Sequence, residues 1–174
     1  MADLRYPIGN WEYTAPASDS QRQSWIGDLA AAPAKLRDAV HGLSPAQLET
    51  PYRPEGWTVR QVVHHLPDSH MNAYVRFRLA LTEPEPVIKP YEEARWATLT
   101  DASTAPIDVS LQLLEALHQR WVMLLRSMTP EQWQCAYRHP ELGRVSLEHA
   151  LAMYAWHGKH HVAHVTGLRE REKF

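Results

Sequence analysis

The chain reads Leu43-Ser44-Pro45-Ala46-Gln47-Leu48 in its first half and Met128-Thr129-Pro130-Glu131-Gln132-Trp133 in its second. Both stretches set a hydroxyl before a proline and end on a large apolar residue. The hydroxyl can accept from a free backbone N–H at a helix start, and proline at the first helical position sacrifices no hydrogen bond, so each predicts a short turn of helix. The flanks are also alike: each stretch follows a long segment with apolar residues every three or four positions and precedes, after a loop, a second one. The first segment runs from about Ser20 to His41 through Trp25, Leu29, Ala32, Leu36 and Val40, with Pro33 inside it as a kink or break. The second starts at Thr58, where Thr58-Val59-Arg60-Gln61 fits a capping box, and runs to about Leu81 across Pro67, which should bend it. The third spans Asp108 to Met128 through Leu111, Leu114, Leu117, Trp121 and Leu125. The fourth starts at Ser146 and follows Leu147, Leu151, Tyr154, Val162 and Val165 to Gly167, a natural stop. Two such units predict an all-α chain, one four-helix-bundle domain over residues 1–174 built from two helical hairpins. The proline-bearing segment 82–107, with Tyr91 and Trp96, is the long crossover and is expected to pack over one end of the bundle.

Composition narrows the function classes. In 174 residues, 44% are hydrophobic, enough to close one core. Eighteen Lys and Arg against twenty Asp and Glu leave a formal charge of −2 with no basic stripe, which argues against a nucleic-acid partner. No apolar run is long enough to span a membrane, and Met1-Ala2-Asp3-Leu4-Arg5-Tyr6-Pro7 lacks the form of a secretory signal. The single cysteine, Cys135, stands in a predicted loop with no nucleophile motif around it, and it excludes an internal disulfide. A reducing compartment, the cytoplasm, is therefore expected.

Histidine is the unusual residue. Seven of the eleven fall in two windows, His64-His65 with His70, and His157 with His160, His161 and His164. Measured against the apolar stripe of the fourth helix, His161 lies about 55° from the core direction, His157 about 95°, His164 about 115° and His160 about 155°. His157 and His161 are four apart, a spacing that lets two imidazoles share one metal. On the second helix His70 lies closest to the core at about 30°, His65 at about 110° and His64 at about 150°, so helical phase favours His70 as a third ligand. Solvated or hydrogen-bonded core histidines are the plain alternative.

Pro51-Tyr52-Arg53-Pro54-Glu55-Gly56-Trp57-Thr58-Val59-Arg60-Gln61-Val62-Val63-His64-His65 and Asp68-Ser69-His70-Met71-Asn72-Ala73-Tyr74 carry a resemblance, joined by Tyr6-Pro7-Ile8-Gly9, Arg120-Trp121 and Trp156-His157 with the later histidines. Over nearly its whole length the chain resembles the bacterial YfiT-type metal-dependent hydrolases of the DinB superfamily. The resemblance implies a DinB-type four-helix bundle, a homodimer, and one divalent metal per chain, zinc or nickel. It places the ligands on His65, His157 and His161. The chain departs from the pattern at Pro67.

A metal on three imidazoles keeps an open coordination position, the mark of a catalytic site, and can activate water for hydrolysis of a small-molecule substrate. No His-Glu-x-x-His motif supplies a general base, and Asp68, Glu148, His64, His70 and His160 are equal candidates. Similar DinB proteins include transferases of a low-molecular-weight thiol of the bacillithiol type, which need no such base. A thiol S-transferase is thus the alternative, and a non-catalytic metal-binding stress or interaction module a second one. Arg53, Arg60, Arg76 and Arg78 could hold an anionic substrate, although flank arginines are more often solvated or paired. The seven tryptophans are expected to pack rather than bind.

Overall fold

A computed structural model of the chain describes residues 3–174, so the first two residues of the leading stretch lie outside it. The four expected long helices are α1 (Asp19–Val40), α3 (Val59–Thr82), α6 (Ile107–Ser127) and α7 (Leu147–Glu172); α2 is the short turn Pro45–Leu48, and α4 (Glu93–Trp96) and α5 (Thr100–Thr104) lie in the crossover. Local chemistry sets the starts. Ser18, Ser44, Thr58 and Ser146 each accept a backbone N–H through the side-chain oxygen, and Ser44 and Thr58 complete full capping boxes with Gln47 and Gln61. Neither Pro33 nor Pro67 ends its helix.

Three local expectations are corrected. Thr129-Pro130 opens only a 3-10 turn at Gln132–Gln134. That turn leads into a hairpin the periodicity did not reveal, β1 (Ala136–His139) paired antiparallel with β2 (Gly143–Ser146), with Gly143 at φ 71° where the chain reverses. Strands of four residues are too short for alternation to register. Nor does Gly167 stop the last helix, which continues to Glu172 and ends at Lys173 in the left-handed region. A glycine ends a helix only where the chain must turn, and here Arg169 still bonds the carbonyls of Ala39 and His41 at the end of α1.

The neighbours in the bundle are α1 with α7 and α6, and α3 with α6 and α7. Helices consecutive in each half, α1 with α3 and α6 with α7, therefore face each other across the diagonal. Directions follow from named contacts. His64 meets Ser110 and His70 meets His118, so α3 and α6 run parallel. Glu148 meets Arg22 near the starts of α7 and α1, while Arg169 meets Ala39 near their ends, so these two are parallel as well. A parallel α3–α6 pair demands a connection as long as the helix. The crossover accordingly runs back along the flank of α3 rather than over a bundle end, held by Gln61 donating to the Ala97 carbonyl and Arg60 to that of Ala105.

The core is two apolar clusters. One gathers around Phe77, Trp121, Leu125, Leu151 and Tyr154, the other around Leu36, Val62, Leu66, Leu114 and Val165. Between them, at the level of Ala32 and Gly158, lies a polar layer of histidines. A Cβ on Gly158 would stand 3.3 Å from the Ala32 Cβ and 3.8 Å from His70, so its hydrogen lets α1 and α7 close over that layer. Among the described residues no helix is long and apolar enough to cross a membrane.

Candidate metal centre

Helix α3 brings His65 against one turn of α7 that carries His157 and His161, and their ring nitrogens gather within 4.8 Å of one another. The Nε2 of His157 lies 3.1 Å from that of His161 and 3.4 Å from that of His65. Two nitrogens each about 2.0–2.1 Å from a tetrahedral zinc would stand roughly 3.3 Å apart, so the spacing suits one ion. Burial pushes the His65 imidazole down to about 4, and burial together with the neighbouring imidazoles holds His157 and His161 well below the usual histidine range. All three are neutral near pH 7 and have a lone pair to offer.

Which nitrogen carries the proton follows from two backbone carbonyls. The Leu29 carbonyl, which can only accept, lies 2.6 Å from His118 Nδ1, so that nitrogen is the donor. His118 Nε2 is then an acceptor for His70 Nδ1–H at 2.8 Å, and His70 Nε2 an acceptor for His157 Nδ1–H at 3.1 Å. The second carbonyl, of Arg5, accepts from His164 Nε2–H at 3.2 Å, and His164 Nδ1 faces His161 Nδ1 at 3.4 Å. Both relays leave the protons of His157 and His161 on Nδ1 and present Nε2 unprotonated to the shared point. Two lone pairs facing each other at 3.1 Å repel, and a cation between them removes the repulsion. Pro33 supplies the first anchor: lacking an N–H, it leaves the Leu29 carbonyl, four residues earlier, without its helical donor. His118 escaped the sequence reading, although it sits on the apolar stripe Leu111, Leu114, Trp121 and Leu125, where a histidine has to be bonded.

The helical phase is right that His70 is innermost, with no exposure, but the structure sets it behind His157 and puts His65 at the cluster. Phase is wrong about the outer histidines. His64, His160 and His164 are all buried. Segments distant in sequence cover them: Ser110 and the Ala105 carbonyl bond His64, Tyr52 stacks on His164 at 3.9 Å, and Tyr6 lies 6.0 Å from His160. His160, His161 and His164 form a second buried group with nitrogens within 4.8 Å.

The three converging nitrogens open on a cleft of about 830 Å³ between α3, α7, β1 and the crossover, with Trp57 packed on His65 at 4.6 Å. Of the five acid–base candidates, Glu148 is consumed by Tyr13, Ala17 and Arg22, His64 by Ser110 and Ala105, and His70 by the relay. Asp68 does not line the cleft; burial raises its carboxyl to about 6. His160 lines it, stacked on Trp156 at 4.3 Å, with a buried Nδ1 that has no partner among the described residues.

Known proteins share this arrangement of sequence and fold. A sequence profile of the DinB superfamily matches residues 28–165. Proteins of Bacillus cereus strain 03BB102 and of Bacillus thuringiensis subsp. konkukian are each 53% identical over 171 residues, 98% of either chain, and both bear the name "putative metal-dependent hydrolase". The structure of YfiT from Bacillus subtilis, described as a probable metal-dependent hydrolase with an unusual four-helix bundle topology, is 48% identical and superposes with a TM-score of 0.97 over 99% of both chains. TT2238, another four-helix bundle protein, shares the fold alone, at 20% identity and a TM-score of 0.56 over 81% of this chain and 94% of its own. The chain belongs to the DinB superfamily.

Proposed function

We propose that this protein is a metal-dependent hydrolase of a small-molecule substrate, and that His65, His157 and His161 hold one divalent ion, zinc or nickel. The carrying observation is the convergence of their Nε2 atoms at 3.1 and 3.4 Å, with the lone pairs of His157 and His161 turned inward by bonded imidazoles behind them. When bound, the ion supplies a Lewis acid with an open position that lowers the pKa of water and polarises a carbonyl. The chain's own part is to hold three neutral donors rigidly and to wall the site with Trp57 and Tyr52, leaving the cleft as the way in. The names of the Bacillus relatives support the same reading. As its assembly we propose a homodimer, to be checked by sedimentation.

One observation favours a second reading. Among the described residues no carboxylate is hydrogen-bonded to the three imidazoles, and Glu148, a buried acid at the start of α7, is fully engaged. Transfer of a low-molecular-weight thiol requires no base of that kind. A paired assay on zinc-loaded and nickel-loaded protein separates the two. Hydrolysis predicts cleavage of activated esters with a rate rising through about pH 7, lost on chelation. Thiol transfer predicts background ester cleavage and consumption of a chlorobimane only when a small thiol is added. Activity in neither assay, with metal bound, would overturn both and leave a non-catalytic metal module.

A further inference from the structure

Four arginines on or near α3 could meet an anion, and the structure treats them differently. Arg60 pairs with Glu49, Arg53 bonds the Tyr52 hydroxyl and the Pro54 carbonyl, and Arg78 is exposed beside Tyr74. Arg76 is 8% exposed, lines the cleft, and has no carboxylate within ion-pair distance among the described residues. Its positive charge acts on the phenols of Tyr137 and Tyr154 and on the imidazole of His139, none of which carries a negative charge to balance it. The carboxylates that line the same cleft, such as Glu93 and Glu141, are exposed at its rim.

A buried guanidinium without a counter-charge is costly, and an anionic ligand in the cleft would complete the pair. Helical phase shows which way it serves. Positions 65, 69 and 76 fall within about 40° of one another on α3, so His65, Ser69 and Arg76 line one face, and all three border the cleft. Eleven residues separate Arg76 from His65, about 16 Å of axis, and a long side chain leans back toward the N-terminal turn.

We propose that Arg76 is an anion subsite that binds a carboxylate of the ligand through a bidentate pair, with the reacting bond on the order of 10 Å away at the histidine cluster. The substrate class is then a small carboxylic acid with a second, cleavable or thiol-reactive function at its far end. That the carboxylate belongs to a substrate rests on the hydrolase reading; the subsite does not.

Calorimetric titration of octanoate and of its neutral match, octanamide, into zinc-loaded and chelator-stripped protein tests this without turnover. Octanoate should bind at least about tenfold tighter than octanamide in both forms, because the anion is held away from the metal ligands. Arg76→Met should erase that preference and raise the thermal midpoint of the ligand-free protein, since it removes an unpaired buried charge. Arg76→Lys should keep a reduced preference, the charge without the fork. Equal binding of the two probes, a preference that survives Arg76→Met, or one present only with zinc bound would overturn the proposal. So would a fall in the midpoint of Arg76→Met, which would make the arginine a packing residue. Failure of the hydrolase reading would appear separately, as absent ester cleavage with the octanoate preference intact.

Discussion

His118 Nδ1 lies 2.6 Å from the carbonyl oxygen of Leu29, the acceptor that Pro33 leaves without a helical donor in α1. A proline in the interior of α1 is thereby tied, through His118 and His70, to the orientation of His157. Pro33→Ala returns an N–H to the helix ladder and lets the Leu29 carbonyl swing back to it. The metal-free protein should keep or gain thermal stability, while metal affinity falls about tenfold, within the range seen when the partner of a ligating histidine is disturbed. Competition titration against a chelator, beside a melting curve, checks both halves.

His70→Ala cuts the same relay nearer its end. A metal should still bind, about 10–100-fold more weakly, because His157 loses the acceptor that fixes its ring. Single alanine changes at His65, His157 or His161 should instead leave two protein donors and reduce binding below that of His70→Ala. Equilibrium dialysis of all four variants against zinc gives the order, and loss of binding in His70→Ala with full binding in His65→Ala would reverse the assignment.

His164 and His160 separate similarly. His164→Ala removes the group that faces His161 Nδ1 and should cost about tenfold in metal affinity, whereas His160→Ala, with no bond to a ligand imidazole, should stay within a few-fold. Equal effects measured by the same dialysis would mean that His164 does not orient His161.

The helices were legible because their starts are written in local chemistry: a hydroxyl at Ser44 or Thr58 with a glutamine three residues on is a short-range signal. The pair His157 and His161 was legible for the same reason, since one helical turn brings them together. What joins distant segments was not. No periodicity in α7 announces that Tyr52 and the Arg5 carbonyl will cover His164, nor one in α3 that the crossover will bury His64. The diagonal placement of consecutive helices was equally invisible, because hydrophobic phase says which face is inward and nothing about which helix it meets. Pro33 and His118 were visible individually; their connection needs the two helices side by side.

The N-terminal segment is fastened to α7 at Glu148, which is 2% exposed. Its carboxylate accepts from the Tyr13 hydroxyl at 2.7 Å, the Ala17 N–H at 3.0 Å and Arg22 at 2.6 Å. Glu148→Ala leaves the Tyr13 and Ala17 donors without an acceptor and Arg22 with Asp19 and the Ala17 carbonyl alone, a loss on the order of 2 kcal/mol, or roughly 6 °C in the melting temperature. Glu148→Gln keeps acceptors for two of the three and should cost less than half as much. Urea denaturation of the pair checks the ratio; equal, small losses would mean that the segment is held elsewhere.

Acid should unfold the metal-free protein early. Burial depresses His65, His118, His160 and His164 to about 4, and burial together with neighbouring imidazoles holds His70, His157 and His161 well below the usual histidine range. In the unfolded chain these groups titrate near 6.5. Between pH 6.5 and about 4 the unfolded state therefore binds more protons than the native one, so stability is present above 6.5 and is lost as pH falls through this window. Asp68 works the other way, since its carboxyl, raised to about 6 by burial, takes a proton in the native state first. One such group offsets only part of what several histidines contribute. Melting temperatures of chelator-stripped protein should fall steeply from pH 6.5 to 4.5, and the slope should reveal uptake of several protons on unfolding. Bound zinc should hold the curve flat to lower pH, because ligated imidazoles cannot protonate until the metal leaves. A metal-free midpoint that stays level across this range would mean that the histidine layer is hydrated and titrates as it does in water.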